Sequence, residues 1–231
     1  MTDYKVEAAK AALNLIKAGQ TIGLGAGSTI ANLITLISEK SELANSLVFT
    51  SSSFKTTANL LAHGLTVQSP ANLKYLDIYF DGCDQFDKEL NALKSGGGIH
   101  TTEKILASMA NEFILIGDEG KFTDQLDTTY PLVIEILPAA LQIVLQKLKH
   151  DHPDATINLR MSTQKDGAVI SENGNLLADI HFNKLIAPDV LNTQIKMIPG
   201  IVDHSLFYRM ATKAVIAGEQ GIRSIYPDYK K

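Results

Sequence analysis

The sequence predicts an α/β protein with a doubly wound, mostly parallel sheet followed by a smaller α/β lobe, and three observations carry that prediction. Short apolar runs alternate with segments of helical periodicity through the first half of the chain. Near Pro131 the order changes to strand, helix, strand, hairpin, helix and strand, the β-α-β-β-α-β split of a ferredoxin-like module. Glycine-rich or acidic turns follow several of the apolar runs, and ligands of open α/β sheets gather at the C-terminal ends of strands. Strands alternating with helices give parallel pairing with right-handed crossovers, because a right-twisted strand feeding a right-handed helix packs back only that way.

Taken in order, Val6, Ala9, Leu13 and Ile16 recur at helical spacing, and Gly19 is expected to close that helix. Residues 21–25 (TIGLG) form a short strand that runs into AGST. Ile30, Leu33, Ile34 and Ile37 then mark one face of a second helix. Residues 46–50 give the next strand, Ser51 to Ser53 follow, and a third helical pattern runs to His63. Further strands are expected at 65–69, 76–80 and 113–117, with a helix opening at 101–112 (TTEKILASMANE) on Thr101 or Thr102 as N-cap. In the second part, strands are expected at 132–136, 155–160 and 202–207, and helices at 139–148 and 188–195. AVIS and LLADIHF flank Glu172-Asn173-Gly174-Asn175 as a hairpin. The segment ATKAVIAG (211–218) reads as helical. The expected division is 1–130 with 208–231 as the larger, catalytic domain and 131–207 as the smaller lobe.

At 231 residues and 45% hydrophobic content, the chain can bury a substantial core. A net charge of −4 argues against a nucleic-acid partner, since no basic cluster exceeds the two lysines of the terminal YKK. No segment reads as membrane-spanning, and the charged start MTDYKVEAAK lacks the apolar core of a secretion signal. The single cysteine, Cys83, excludes an internal disulfide and fits a reducing cytoplasm. It sits in an acidic turn with no basic neighbour in sequence, so turn filler is favoured over nucleophile.

The densest chemistry lies between Asp77 and Glu103. The strand LDIYF ends in Asp81-Gly82, which sets Asp81 and Asp84 just past its C-terminal end. Lys94 precedes the triplet Gly96, Gly97 and Gly98, and Glu103 falls in the first turn of the next helix. Backbone N–H groups of a glycine loop at a helix N-terminus can bind a phosphate or a developing enolate oxygen, and Lys94 adds a full positive charge. The helix dipole and nearby donors are expected to keep Glu103 ionised, which suits a base. Each feature alone has a structural explanation, since Asp-Gly is a common turn and acids favour helix starts. Their joint occurrence in one strand-loop-helix unit points to function.

Other motifs say less. GLGAGST (23–29) could cradle a monophosphate, or could be a tight turn with a serine cap. It lacks the lysine of a nucleotide-triphosphate loop and the downstream acid of a dinucleotide fingerprint. His150 and His152 flank an aspartate without a third ligand at usual spacing, His181 and His204 fall on expected strands, and His100 adjoins the glycine loop.

GLGAGST, TSSSF, DGCDQ, KSGGG followed by TEKI, DEGK (118–121), ENGN and IPG (198–200), in that order, resemble the type A ribose-5-phosphate isomerases over nearly the whole chain. The resemblance implies a Rossmann-like domain with a smaller lobe. It also implies interconversion of D-ribose 5-phosphate and D-ribulose 5-phosphate in the non-oxidative pentose phosphate pathway, without metal or organic cofactor, in a cytoplasmic homodimer or homotetramer. Carried over, Glu103 is the base that moves a proton between C2 and C1, Asp81 assists ring opening, and Lys94 with loop amides stabilises the enediolate, beside Asp84. Ala26, Gly27, Ser28 and Thr29 match the phosphate loop. Gly82, Cys83, Ser95, Gly96, Gly97 and Lys121 fall among the substrate-binding positions, with Lys5 a weaker candidate. The chain departs from the family pattern at Cys83 (commonly alanine), Gln85 (glutamate), Ala26 (threonine), Ser95 (glycine) and Thr102 (often arginine). Competing readings are a sugar-phosphate sensor, which would need no catalytic set, and an amino-sugar phosphate isomerase or coenzyme A transferase on a related scaffold. Acyl-glutamate chemistry at Glu103 would mark the transferase.

Overall fold

All but Asp77 of the run LDIYFD are buried, as a strand covered by helices on both faces requires. In the computed structural model, which describes residues 2–184 and 186–228, that run is the third of thirteen strands. The chain begins with α1 (Tyr4–Leu13), β1 (Thr21–Leu24), α2 (Ser28–Ser38), α3 (Ser41–Ser46), β2 (Val48–Ser51), α4 (Phe54–Ala62) and β3 (Leu76–Asp81). Next come β4 (Gln85–Phe86), β5 (Ala92–Leu93), α5 (His100–Met109) and β6 (Ala110–Asp118). A second group holds β7 (Leu132–Ile136), α6 (Leu141–Asp151), β8 (Thr156–Leu159), β9 (Leu176–His181), α7 (Pro188–Lys196) and β10 (Ile201–His204). The last strands are β11 (Leu206–Phe207), β12 (Lys213–Gly218) and β13 (Gly221–Ile225). The lysines of the terminal YKK lie outside the described residues.

The large sheet has the order β13-β12-β6-β3-β1-β2 and is parallel except for the edge pair β12–β13. Its two faces carry separate apolar clusters. One packs α1, α2 and α4 through Ala9, Ile30, Leu33 and Leu60; the other joins Tyr79, Phe113 and Phe207 to Leu106 of α5. The smaller sheet has the order β10-β7-β9-β8 with every pair antiparallel. Numbered within the lobe, that is 4-1-3-2 with α6 and α7 as the crossovers, the ferredoxin-like arrangement read from the element order.

Five details differ from the sequence reading. The first helix ends at Leu13, and Gly19, at φ +81°, belongs to the turn that leads into β1. Residues 65–69 contribute a single bridge, Phe49 to Val67, in place of a strand. AVIS touches its expected partner only through the bridge Ile170 to Leu176, because β9 already pairs with β7 on one side and β8 on the other. ATKAVIAG is a strand, β12, inserted between β6 and β13; five of its six residues are buried, and a short apolar run carries no periodicity to separate helix from strand. A three-stranded ribbon, β11-β5-β4, was not foreseen, since two-residue strands leave no pattern to read. That ribbon matters for the site. Pairing of β4 with β5 brings Asp84, one residue before β4, beside Lys94, one residue after β5.

Candidate active site

A cavity of about 330 Å³ opens at the C-terminal edge of the large sheet. Of the residues singled out from sequence, Ala26, Gly27, Ser28, Thr29, Gly82, Cys83, Asp84, Lys94, Gly96, Gly97, Glu103, Lys121 and Lys5 line it. Asp81 and Ser95 do not. Ser95 turns its hydroxyl away, donating to the Pro131 carbonyl at 2.5 Å. Ile116, Gly117 and Asp118, at the end of β6, also line the cavity and were not among the candidates. Their signal was available, because FILIG was read as a strand and its C-terminal end is where such sheets meet ligands.

At the centre, Lys94 Nζ lies 2.9 Å from Asp81 Oδ2 and 3.2 Å from Glu103 Oε1, and it donates to the Gly82 carbonyl at 2.5 Å. All three ammonium N–H groups are therefore used, and the side chains of the triad are almost fully buried. Asp81 is saturated with donors. Its Oδ1 accepts from the amides of Gly82 at 2.8 Å and Ala26 at 3.2 Å, and its Oδ2 accepts from the Tyr79 hydroxyl at 2.6 Å. Gly25, also missed from sequence, makes this packing possible: a Cβ there would stand 1.8 Å from Asp81 Oδ1.

Two carboxylates share one lysine, so the buried group carries a net charge of −1 when all three are ionised. Four donors surround Asp81: the amides of Gly82 and Ala26, the Tyr79 hydroxyl and Lys94 Nζ. Burial pushes the Glu103 carboxyl from the ordinary 4.5 up to about 8, with Lys94 pulling the other way and Asp81 reinforcing the rise. The first-turn position alone therefore does not keep Glu103 in the ordinary carboxylate range, because burial raises it. Burial also opposes the charge on Lys94, but Asp81 and Glu103 overcome it and hold the lysine above its usual range. Burial raises the Cys83 thiol to about 12, so it stays protonated at neutral pH and the nucleophile reading has no support.

The helix that carries Glu103 starts differently from expectation. Ile99 is its N-cap, without a side-chain cap, and Thr101 and Thr102 lie inside it. The Thr101 hydroxyl instead donates to Glu135, a fully buried carboxylate that also accepts from Ser171, Asn173 and Asn175. Gln85, at a departure from the family pattern, accepts from the Asp127 amide at 3.0 Å through its side-chain oxygen and stays off the cavity wall.

The two glycine loops behave differently. Gly27, at φ +100°, is the N-cap of α2 without a side-chain bond, and the first-turn amides of Ser28 and Thr29 find no acceptor among the described residues. In the second loop, Asp84 Oδ2 accepts from the amides of Ser95 at 2.6 Å and Gly96 at 3.2 Å. The expectation that this loop offers amides to an enediolate therefore fails for those two. Among the described residues, no group of three His, Cys, Asp or Glu side chains is arranged to hold a metal ion, and no helix is long and apolar enough to cross a membrane.

A Rossmann-like sheet whose C-terminal edge joins an open helix N-terminus to a buried carboxylate–lysine group is the frame of a phosphosugar enzyme. Comparison with known proteins narrows the class. The family model for ribose 5-phosphate isomerase A (phosphoriboisomerase A) matches residues 48–221. The ribose-5-phosphate isomerase A of Thermosynechococcus vestitus is 34% identical over 227 residues, 94% of each chain. Among solved structures, ribose 5-phosphate isomerase A of Methanocaldococcus jannaschii superposes with a TM-score of 0.89 at 31% identity, covering 97% of this chain and 98% of that one. A D-ribose-5-phosphate isomerase in complex with phospho-erythronic acid gives 0.90 at 31% identity, covering 96% and 97%. The chain belongs to the ribose 5-phosphate isomerase A family.

Proposed function

We propose that this cavity performs the aldose–ketose isomerisation through an enediolate, with Glu103 as the base. The protein is a ribose-5-phosphate isomerase and interconverts D-ribose 5-phosphate and D-ribulose 5-phosphate. The observation that carries the residue assignment is the single cavity wall holding both the open first turn of α2 and Glu103 beside Lys94. The α2 amides, with the hydroxyls of Ser28 and Thr29, take the phosphate, and the lysines Lys5 and Lys121 add charge at the wall. Glu103 removes the proton from C2 and returns it to C1, while the O2 hydroxyl proton moves to O1 as the carbonyl shifts from C1 to C2. Its raised pKa matches base to working pH, where proton transfer is most effective. As charge develops on the enediolate oxygen, Lys94 exchanges a protein acceptor for that oxygen. Asp81 does not line the cavity and contacts Lys94, so it acts as a positioning residue for the lysine. A neighbour's ligand, phospho-erythronic acid, supports this reading chemically, because it joins a phosphate to a planar carboxylate as the enediolate joins a phosphate to a planar, charged diolate.

The same proposal extends to organisation. Residues 1–130 and 208–231 are read as the catalytic domain and 131–207 as the smaller lobe, supported by β12 and β13 lying in the large sheet. Exposed apolar side chains such as Phe54, Ile143 and Met197 are compatible with a homodimer or homotetramer, and the lone cysteine with the cytoplasm.

The test is conversion of ribose 5-phosphate to ribulose 5-phosphate by the purified protein with a strong chelator present, beside Glu103→Gln. Wild-type turnover should persist, and the variant should lose about 10²- to 10⁴-fold, as removal of an acid–base group does. Near-normal turnover by a folded Glu103→Gln protein would remove Glu103 from the role. Activity lost only on chelation would point to a metal.

A further inference from the structure

The glycine loop at 95–98 has almost no side chains with which to hold itself in place. Glycine also gives up more conformational freedom on ordering than any other residue. Its amide side is fixed by Asp84, but its carbonyl side faces the smaller lobe, where Arg160 supplies the polar contacts and Leu177 packs against Gly98. Arg160, just past β8, donates from Nη2 to the Ser95 carbonyl at 2.9 Å and from Nη1 to the Gly96 carbonyl at 3.2 Å. The guanidinium is itself aimed by Asp179 of β9, which accepts from Nε at 3.0 and 3.1 Å and from Nη2 as well. Both side chains are mostly shielded from solvent, at 18% and 22% exposure, so the pair is screened less than a surface ion pair. The Arg160 backbone is anchored too, donating to the Leu177 carbonyl and accepting from the Val169 amide, each at 2.8 Å.

We infer that Arg160, oriented by Asp179, is a positioning residue for the isomerase reaction: it clamps the carbonyl edge of the loop whose amide edge Asp84 holds, and so fixes the cavity wall next to Lys94. The inference rests on the isomerase reading of the site, and it deepens that reading by giving the smaller lobe a part in it. The clamp needs a planar fork. One edge of the guanidinium satisfies the aspartate and the other spans two successive carbonyls. A lysine ammonium is a point donor on a flexible stem and cannot do both at once. The bonds belong to the loop in its assembled form, so losing them loosens the wall without removing any group that touches substrate.

The experiment compares Arg160→Lys and Asp179→Asn with wild type by steady-state kinetics and by amide hydrogen exchange of the segment 94–99. Arg160→Lys should lower kcat roughly 10-fold with KM changed less than about twofold, since misplacing a reacting group slightly costs up to about 100-fold. Exchange at Gly96 and Gly97 should quicken by about the same factor. Asp179→Asn, which keeps the carbonyl contacts but loses the charge that orients the arginine, should lie between. A folded Arg160→Lys protein with unchanged kcat, or with lowered kcat and unchanged loop exchange, overturns the assignment. Should Arg160→Lys not fold, Asp179→Asn decides alone by the same two readings. Loop exchange in the free protein does not depend on turnover. Failure of the isomerase reading would show as an inactive wild type with its loop contrast intact, and failure of the clamp as an active wild type without the contrast.

Discussion

Two glycine-rich turns stand at the same edge of the large sheet, and their hydrogen-bonding states are opposite. The first, at Gly27 to Thr29, leaves the leading amides of α2 without acceptors among the described residues, and its residues line the cavity. The second, at Ser95 to Gly98, has two amides bound by Asp84 and two carbonyls bound by Arg160. From composition alone both are anion cradles. In the folded protein the first keeps its two leading amides free of acceptors among the described residues, while the second has two amides taken by Asp84 and is held from two sides beside Lys94. Glycine thus does two different jobs at one edge. In the first turn it gives a ligand access to a helix N-terminus, and in the second it lets the backbone run between two polar partners without side chains in the way.

The largest test of that contrast is Asp84→Ala. If the second loop is a wall held by Asp84, freeing its amides should lower kcat by about 100-fold, the scale of a misplaced reacting group, with a smaller change in KM. A variant that mainly raises KM would make this loop a second binding cradle.

The pH dependence is the next in size. Glu103 must be unprotonated to act, and its pKa in the free protein is raised to about 8. The sign is therefore a fall in kcat/KM as pH drops below about 8, by about tenfold per unit, with an apparent pKa belonging to the whole Asp81–Lys94–Glu103 group. A profile flat down to pH 6 would mean that the base is held ionised after all. Stability carries the opposite sign. A carboxyl raised from 4.5 to about 8 on folding favours the fold below 4.5 and loses that contribution as pH rises through about 8. The melting temperature of Glu103→Gln should consequently gain on wild type at about pH 9 relative to about pH 5.

The smallest expected effect is at the open turn. Gly27→Ala forces a side chain into φ +100°, a conformation that costs an L-residue of order 1–3 kcal/mol. KM for ribose 5-phosphate should rise about tenfold with kcat changed less, the signature of lost uniform binding. An equal fall in kcat would show that the two turns work as one unit.

How much of this was legible in advance depended on whether a feature repeats along the chain or is made across it. The alternation of apolar runs with 3.6-residue periodicity marked the parallel sheet, and the element order after Pro131 marked the ferredoxin-like lobe, because burial on one face or two imposes those periods locally. The acidic turn, Lys94, the glycine loops and Glu103 were likewise visible, since strand ends and helix starts demand particular residue types at fixed offsets. ATKAVIAG was misread because a six-residue buried run has no period to betray its state. Its strand form was decided by neighbours about a hundred residues away, on β6. The pKa of Glu103 lay equally beyond the sequence, because it follows from burial, with Asp81 reinforcing the rise and Lys94 opposing it. So did the roles of Gly25, Arg160 and Glu135, each defined by a partner distant in the chain. The sequence by itself determined most of the elements and which chemical groups reach the sheet edge. Tertiary structure alone decided which amides are bound, how far burial raises the Glu103 carboxyl and what fixes the wall, because desolvation and hydrogen-bond saturation are properties of the groups brought together rather than of the chain that carries them.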